Sequence, residues 1–276
     1  MRRAFQQVDV FTARPYLGNP VAVVLDADGL STASMRRFAA WTNLSETTFV
    51  LPPTTPAADY RVRIFTPTAE LPFAGHPTLG TCHAWLATGG LPRDGGRIVQ
   101  ECDAGLITVR RDEPSGLAFA APPLLRYEPA DAELLLHLAE VLRLAPTDIV
   151  AAQWVDNGPG WVAVLLDSAD AVLALRPGAV DLAVGVIGPH PPGAAAAFEV
   201  RAFTPQIATV EDPVTGSLNA SLATWLFDTG GVQDAYTARQ GTVLGREGRV
   251  RLSRTADGTV WVGGDTVTCI RGDVAL

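Results

Sequence analysis

An α+β fold of two related halves is what this sequence predicts, on three observations. Short β-branched runs recur along nearly the whole chain, apolar helix-compatible stretches interrupt them, and one composite pattern occurs twice, about 140 residues apart. The spacing matches a duplicated domain, since a solenoid repeats every few tens of residues.

The repeat organises everything else. YRVRIFTP (60–67) followed by HPTLGTCHAWL (76–86) matches FEVRAFTP (198–205) followed by DPVTGSLNASLATWL (212–226). Upstream of each lies a related apolar run, GNPVAVVL (18–25) and GPGWVAVLL (158–166). In the first half the predicted strands are QVDVFT (7–12), NPVAVVL (19–25), ETTFVL (46–51), YRVRIFT (60–66) and LITVRR (106–111). They continue with GWVAVLL (160–166), EVRAFT (199–204), GTVLGR (241–246), RVRLS (249–253), GTVWVGG (258–264) and TVTCI (266–270). Strands this short and frequent imply curved, mostly antiparallel sheet. Helices are predicted near 32–43, 76–88, 131–143 and 213–227. Paired prolines in GLAFAAPPLLRYEPADAE (116–133) mark the crossover, dividing the chain into lobes 1–122 and 123–264. GVIGPHPPGAAAA (185–197) reads as a surface loop.

Composition narrows the function. The 276 residues are 47% hydrophobic and 18% charged, ample for a packed core. The net charge of −8 with scattered cations argues against nucleic acid or an anionic membrane as partner. No apolar run approaches about 18 residues, and MRRAFQQVDVF lacks a signal-peptide core, so the expected location is cytoplasmic. All 21 basic residues are arginine. Without lysine there is neither a pyridoxal phosphate Schiff base nor a Walker loop. The three cysteines, Cys82, Cys102 and Cys269, have neither disulfide-framework nor zinc spacing, and no metal or cofactor is expected.

The candidate chemistry sits in two X-Pro turns, FAGHPTLG (73–80) and EDPVTGS (211–217). Proline suits the first helical position, and Asp212 and His76 would then be matching N-caps. Helix starts offer unpaired N–H groups and partial positive charge, which attract carboxylates. Gly75, Pro77 and Thr78 in one turn, and Thr215, Gly216 and Ser217 in the other, are the candidate substrate-binding residues. Taken singly each turn reads as an ordinary cap; recurrence with unlike ionisable groups suits a site for an asymmetric substrate. Glu46, in TNLSETTF (42–49), stands at a helix-to-strand junction where a carboxylate is ordinarily solvated surface. His83, His137 and His190 lie in segments that read as core, helix surface and loop. An Asp212–His76–Ser217 hydrolase triad is weakened by the absence of GxSxG.

GNPVAVVL, NLSETTF, RIFTPTAELPFAGHPTLG, VEDPVTGS and QGTVLGREG, in this order from DVFT (9–12) to GREG (245–248), resemble the PhzF-like proteins. The resemblance implies the diaminopimelate epimerase fold: two lobes, each a curved sheet around a central helix, with the active site between them and residues 265–276 returning to the first lobe. It also implies a homodimer. Diaminopimelate epimerase and proline racemase use a cysteine pair at the helix starts; AGHPT and EDPVT contain none. By resemblance, Glu46 is the general acid/base, His76 and Asp212 orient substrate and share protonation states around it, and Ser217 with the TGS backbone binds a substrate carboxylate. One group that both takes and gives a proton suits migration along a conjugated system, and a carboxyl shut away from water moves toward the pKa this requires. The expected activity is a cofactor-independent isomerase acting on a small carboxylate. The alternatives are an amino-acid epimerase lacking the cysteine pair and a non-catalytic binding protein.

Overall fold

GHPTLGTCHAWLA and GSLNASLATWLFD contain no charged residue except a terminal Asp228, and a helix without a charged face belongs inside a domain. The computed structural model, which describes residues 1–112, 116–205 and 211–276, places both inside. Two compact units result: Met1–Ala120 with Gly263–Leu276, and Ala121–Val262.

The first unit opens with β1 (Arg2–Val10) antiparallel to β2 (Asn19–Val24). Helix α1 (Thr32–Thr42) then crosses to β3 (Glu46–Leu51), which runs parallel to β2, the arrangement a crossover helix permits. Next come β4 (Tyr60–Phe65), antiparallel to β3, and the two-residue β5 (Glu70–Leu71). Helix α2 (Gly75–Ala87) follows, then β6 (Arg97–Cys102), parallel to β4, and the antiparallel β7 (Gly105–Asp112) and β8 (Gly116–Ala120). Gly75 to Cys82 are all buried, and α2 packs on β1, β2, β3, β6 and β8.

The second unit repeats this plan. Strand β9 (Arg126–Pro129) and helix α3 (Ala132–Leu142) lead into β10 (Ala151–Asp156), antiparallel to β9 and to β11 (Val162–Leu165). Helix α4 (Ala169–Ala174) crosses to β12 (Val184–Pro189), parallel to β11. Then come β13 (Phe198–Phe203), β14 (Glu211–Asp212), α5 (Gly216–Asp228), β15 (Ala235–Gln240), β16 (Gly248–Arg254) and β17 (Val260–Gly264). Strand β15 is parallel to β13, as β6 is to β4. Finally β18 (Thr266–Ala275) runs antiparallel to β1, from Arg2↔Ala275 to Val10↔Thr266, the place β9 takes beside β10.

The sheet pairings are mixed: mostly antiparallel, with the parallel pairs at matching places. Two segments differ from expectation. The 185–197 stretch begins as the buried strand β12 and becomes loop only after Pro189. Gly185 is needed there because a Cβ would lie 2.2 Å from Leu218 Cδ1 of α5. GTVLGR is a 3-10 turn over Thr242–Leu244, flanked by Gly241 and Gly245 at positive φ, and the strand is the preceding AYTARQ. No described helix is long and apolar enough to cross a membrane.

Candidate active site

Glu46 is the first residue of β3, and local signals put it there. Helix α1 starts at the Ser31 cap, which accepts from the Ser34 N–H, and ends where Asn43 turns left-handed at φ 54°. The Thr42 and Thr47 hydroxyls, 2.9 Å apart, tie the helix end to the strand start. The register Val21↔Glu46 then sets the carboxylate beside the head of β2. The Glu46 side chain is 13% exposed, and its Oε2 lies 3.4 Å from His76 Nε2. That gap exceeds the usual N–H···O length of about 2.7–3.2 Å, and His76 Nε2 makes no hydrogen bond among the described residues. The two groups face one another across a distance that a small tightening would convert into a hydrogen bond.

His76 is the second residue of α2 and is buried. Burial pushes its pKa down to about 3, against a smaller opposing effect of the Pro20 carbonyl, so the ring is neutral near pH 7. Asn19 Nδ2, which can only donate, lies 3.4 Å from His76 Nδ1. The Pro20 carbonyl and the Asn19 amide thus meet the ring on its Nδ1 side, while Nε2 faces Glu46. Behind them, Thr78 donates to the Ala74 carbonyl at 2.9 Å and accepts from Gln100 Nε2 at 3.0 Å, while Tyr60 donates to Gln100 Oε1 at 3.1 Å. Gly75 and Pro77 flank His76 in the same buried first turn.

The second unit gathers the other candidates. Asp212, 5% exposed, accepts from the Thr215 hydroxyl at 2.6 Å. The fully buried Gln240 serves this turn with its whole amide. Its Nε2 donates to Thr215 Oγ1 at 2.9 Å and the Asp212 carbonyl at 3.1 Å; its Oε1 accepts from Thr215 N at 3.0 Å and Asn219 Nδ2 at 2.8 Å. Gly216 opens α5 and Ser217 is its second residue. Ser217 Oγ accepts from Trp161 Nε1 at 3.1 Å, and its carbonyl accepts from Asn157 Nδ2 at 2.9 Å.

The expected equivalence of His76 and Asp212 does not hold. The N-caps are Ala74 and Thr215, neither through its side chain. Pro77 is the third helical residue, tolerated because the first turn has no intrahelical use for its N–H, whereas Pro213 precedes α5 altogether. The ladders give the true alignment: Phe65 pairs with Glu70 as Phe203 pairs with Glu211, so Asp212 corresponds to Leu71 and Ser217 to His76. Likewise Glu46, opposite Val21, corresponds to Val184, opposite Val162. Val210, which opens the VEDPVTGS motif, lies outside the described residues.

Cysteines and the remaining histidines fall elsewhere. Burial pushes the Cys82 thiol up to about 12 and raises Cys102 as well, so neither is a thiolate at neutral pH. His83 contacts Thr266 and Thr268 on β18, His137 pairs with Asp181, and His190 with the buried Glu199. A groove of about 520 Å³ in the second unit, lined by Leu142, Arg143, Asp148, Leu166 and Arg176, holds none of the candidate residues. Sequence reasoning assigned no role to Asn19, Gln100, Trp161 or Gln240; their positions in GNP, GWVAV and QGTVLG were visible, their contacts were not.

Residues 8–272 match the sequence profile of phenazine biosynthesis-like proteins, PhzC-PhzF. Antisense-enhancing sequence 1 of Schizosaccharomyces pombe is 38% identical, over 98% of this chain and 97% of that protein. The trans-2,3-dihydro-3-hydroxyanthranilate isomerase of Pseudomonas fluorescens is 37% identical, over 98% of each. A solved phenazine biosynthesis protein of the PhzF family from Enterococcus faecalis superposes with a TM-score of 0.83 at 25% identity, covering 100% of both chains. The chain belongs to the PhzC-PhzF family of phenazine biosynthesis-like proteins and is an isomerase.

Proposed function

We propose that the protein moves a proton within a small carboxylate-bearing substrate, with Glu46 as the group that takes the proton from one carbon and returns it at another. The observation that carries this reading is the Glu46–His76 pair: an enclosed carboxylate 3.4 Å from an imidazole that burial keeps neutral. A neutral imidazole beside the carboxylate brings no positive charge to it, which leaves its oxygens basic.

Ser217 and the first-turn N–H groups of α5 bind the substrate carboxylate, where orphan donors and the helix dipole favour negative charge. Asp212, fixed by Thr215 and through it by Gln240, orients the remainder of the substrate. The Thr78 and Thr215 hydroxyls are engaged within their own units, so these residues act on substrate through backbone and framework. One proton changes carbon and no electrons leave the substrate, so the step balances without a cofactor. The protein acts as a soluble cytoplasmic homodimer.

The test is incubation with trans-2,3-dihydro-3-hydroxyanthranilate, the compound named for the Pseudomonas fluorescens relative, with no added cofactor. Absorbance and product mass are followed in H2O and D2O. The reading expects a product of unchanged mass in H2O that gains at most one deuterium at carbon in D2O. A product of altered mass in H2O, or no conversion of this and related cyclic amino acids, overturns it.

A further inference from the structure

We infer that Trp161 is a positioning residue that fixes the Ser217 hydroxyl as a hydrogen-bond donor and so selects an anionic group at the start of α5. The inference rests on the carboxylate-binding role proposed above for Ser217.

The indole nitrogen can only donate, and a serine hydroxyl can both accept and donate one proton. With Trp161 Nε1 3.1 Å from Ser217 Oγ, an acceptor site on that oxygen is occupied. The hydroxyl proton is therefore directed elsewhere, and among the described residues it has no acceptor. Trp161 is only 2% exposed, anchored immediately before β11 with its carbonyl accepting from Val155 N at 3.0 Å, so the donor cannot swing away. Asn157 Nδ2 holds the Ser217 carbonyl at 2.9 Å, which fixes the backbone. The Trp161 contact thus turns the Ser217 hydroxyl toward donation. Together with the N–H groups of the helix start, that adds a directed donor to the donors already there. A carboxylate, which only accepts, complements them; an ammonium or a neutral carboxamide presenting its NH2 does not.

The equivalent place in the first unit is built for another purpose. There Pro20 stands where Trp161 stands, and it is the Asn19 amide, 3.4 Å from His76 Nδ1, that reaches the second residue of α2. Neighbouring framework positions thus serve a serine hydroxyl in one unit and an imidazole in the other.

The experiment is a double-mutant cycle read by calorimetric binding of 2-aminobenzoate and of uncharged 2-aminobenzamide to the full chain. Ser217→Ala should weaken the carboxylate about 10- to 100-fold, the range for a hydrogen bond to a charged group. Trp161→Phe, which keeps the ring and loses the N–H, should weaken it about 5-fold and leave the amide nearly unaffected. The double variant should bind no more weakly than Ser217→Ala alone, because Trp161 acts only through that hydroxyl. A variant-free readout guards against misfolding: the indole N–H resonance of Trp161 should move downfield on adding 2-aminobenzoate, and should not in Ser217→Ala. Equal weakening of both ligands by Trp161→Phe, effects that multiply in the double variant, or an unmoved indole signal each overturns the role of Trp161 alone. No preference for the carboxylate in the wild type, or unchanged binding in Ser217→Ala, removes the carboxylate reading itself and the inference with it.

Discussion

Ser217 holds in α5 the place that His76 holds in α2: each is the second residue of a thirteen-residue buried helix, touched by Asn19 at the start of β2 in one case and by Trp161 just before β11 in the other. The duplicated framework has diverged at matched points. Glu46 stands where the second unit has Val184, and Asp212 stands where the first has Leu71. Each unit therefore offers one acid and one side chain at the helix start, in different places.

The buried His76 makes stability depend on pH in a stated direction. Its folded pKa, about 3, lies below the unfolded value near 6.5, so between those values the unfolded chain binds the extra proton. Stability therefore rises with pH through that window and levels off above it. Urea unfolding should show the wild type losing on the order of 2–3 kcal/mol from this group between pH 7 and pH 4.5. His76→Gln should remove that part of the slope. Identical slopes in the two proteins would show that the ring is not held neutral.

Two arginine–glutamate pairs occupy equivalent places but different surroundings. Arg201 and Glu211 are 5% and 9% exposed and joined by two hydrogen bonds of 2.9 and 2.7 Å, while Arg63 and Glu70 are 19% and 18% exposed. Arg201 also donates to the Leu175 and Val172 carbonyls, tying the end of α4 to the strand that carries Asp212. Breaking a buried pair strands a charge and costs about 3–5 kcal/mol, whereas a partly solvated one costs about 1. Chemical denaturation of Glu211→Gln and Glu70→Gln should reproduce that ranking, with activity falling more in the first.

Gln240→Leu should be among the most damaging single changes outside the candidate residues. It removes the acceptor of the Thr215 N–H and the donor to the Thr215 hydroxyl and the Asp212 carbonyl, and leaves the Asn219 amide only its bond to the Thr215 carbonyl. At about 1–3 kcal/mol per stranded buried group, the loss should reach several kcal/mol by thermal unfolding. Gln100→Leu, which releases only the Tyr60 and Thr78 hydroxyls, should cost less.

The repeat and the helix–strand order were legible because apolar periodicity and FTP-ending strands are local signals. Helix starts were less so. Proline is tolerated throughout a first turn, so HPT and DPV looked alike although Pro77 is inside α2 and Pro213 is outside α5. GVIGP hid a strand because the glycine demanded by Leu218 reads as loop, and GTVLG imitated one because its two left-handed glycines fold a turn. Glu46 was visible as a carboxylate at a junction, yet nothing local tied it to His76, thirty residues on. Trp161 and Gln240 act over 56 and 25 residues, distances at which only the folded chain shows who meets whom.

The most direct test of the central claim compares Glu46→Gln with the wild type, measuring turnover of trans-2,3-dihydro-3-hydroxyanthranilate and its binding constant on the same preparations. Removing the acid/base while keeping its shape should cut turnover by about 10²–10⁴-fold, with binding within a few-fold of the wild type. Full turnover in Glu46→Gln would contradict the account and move the proton to another residue.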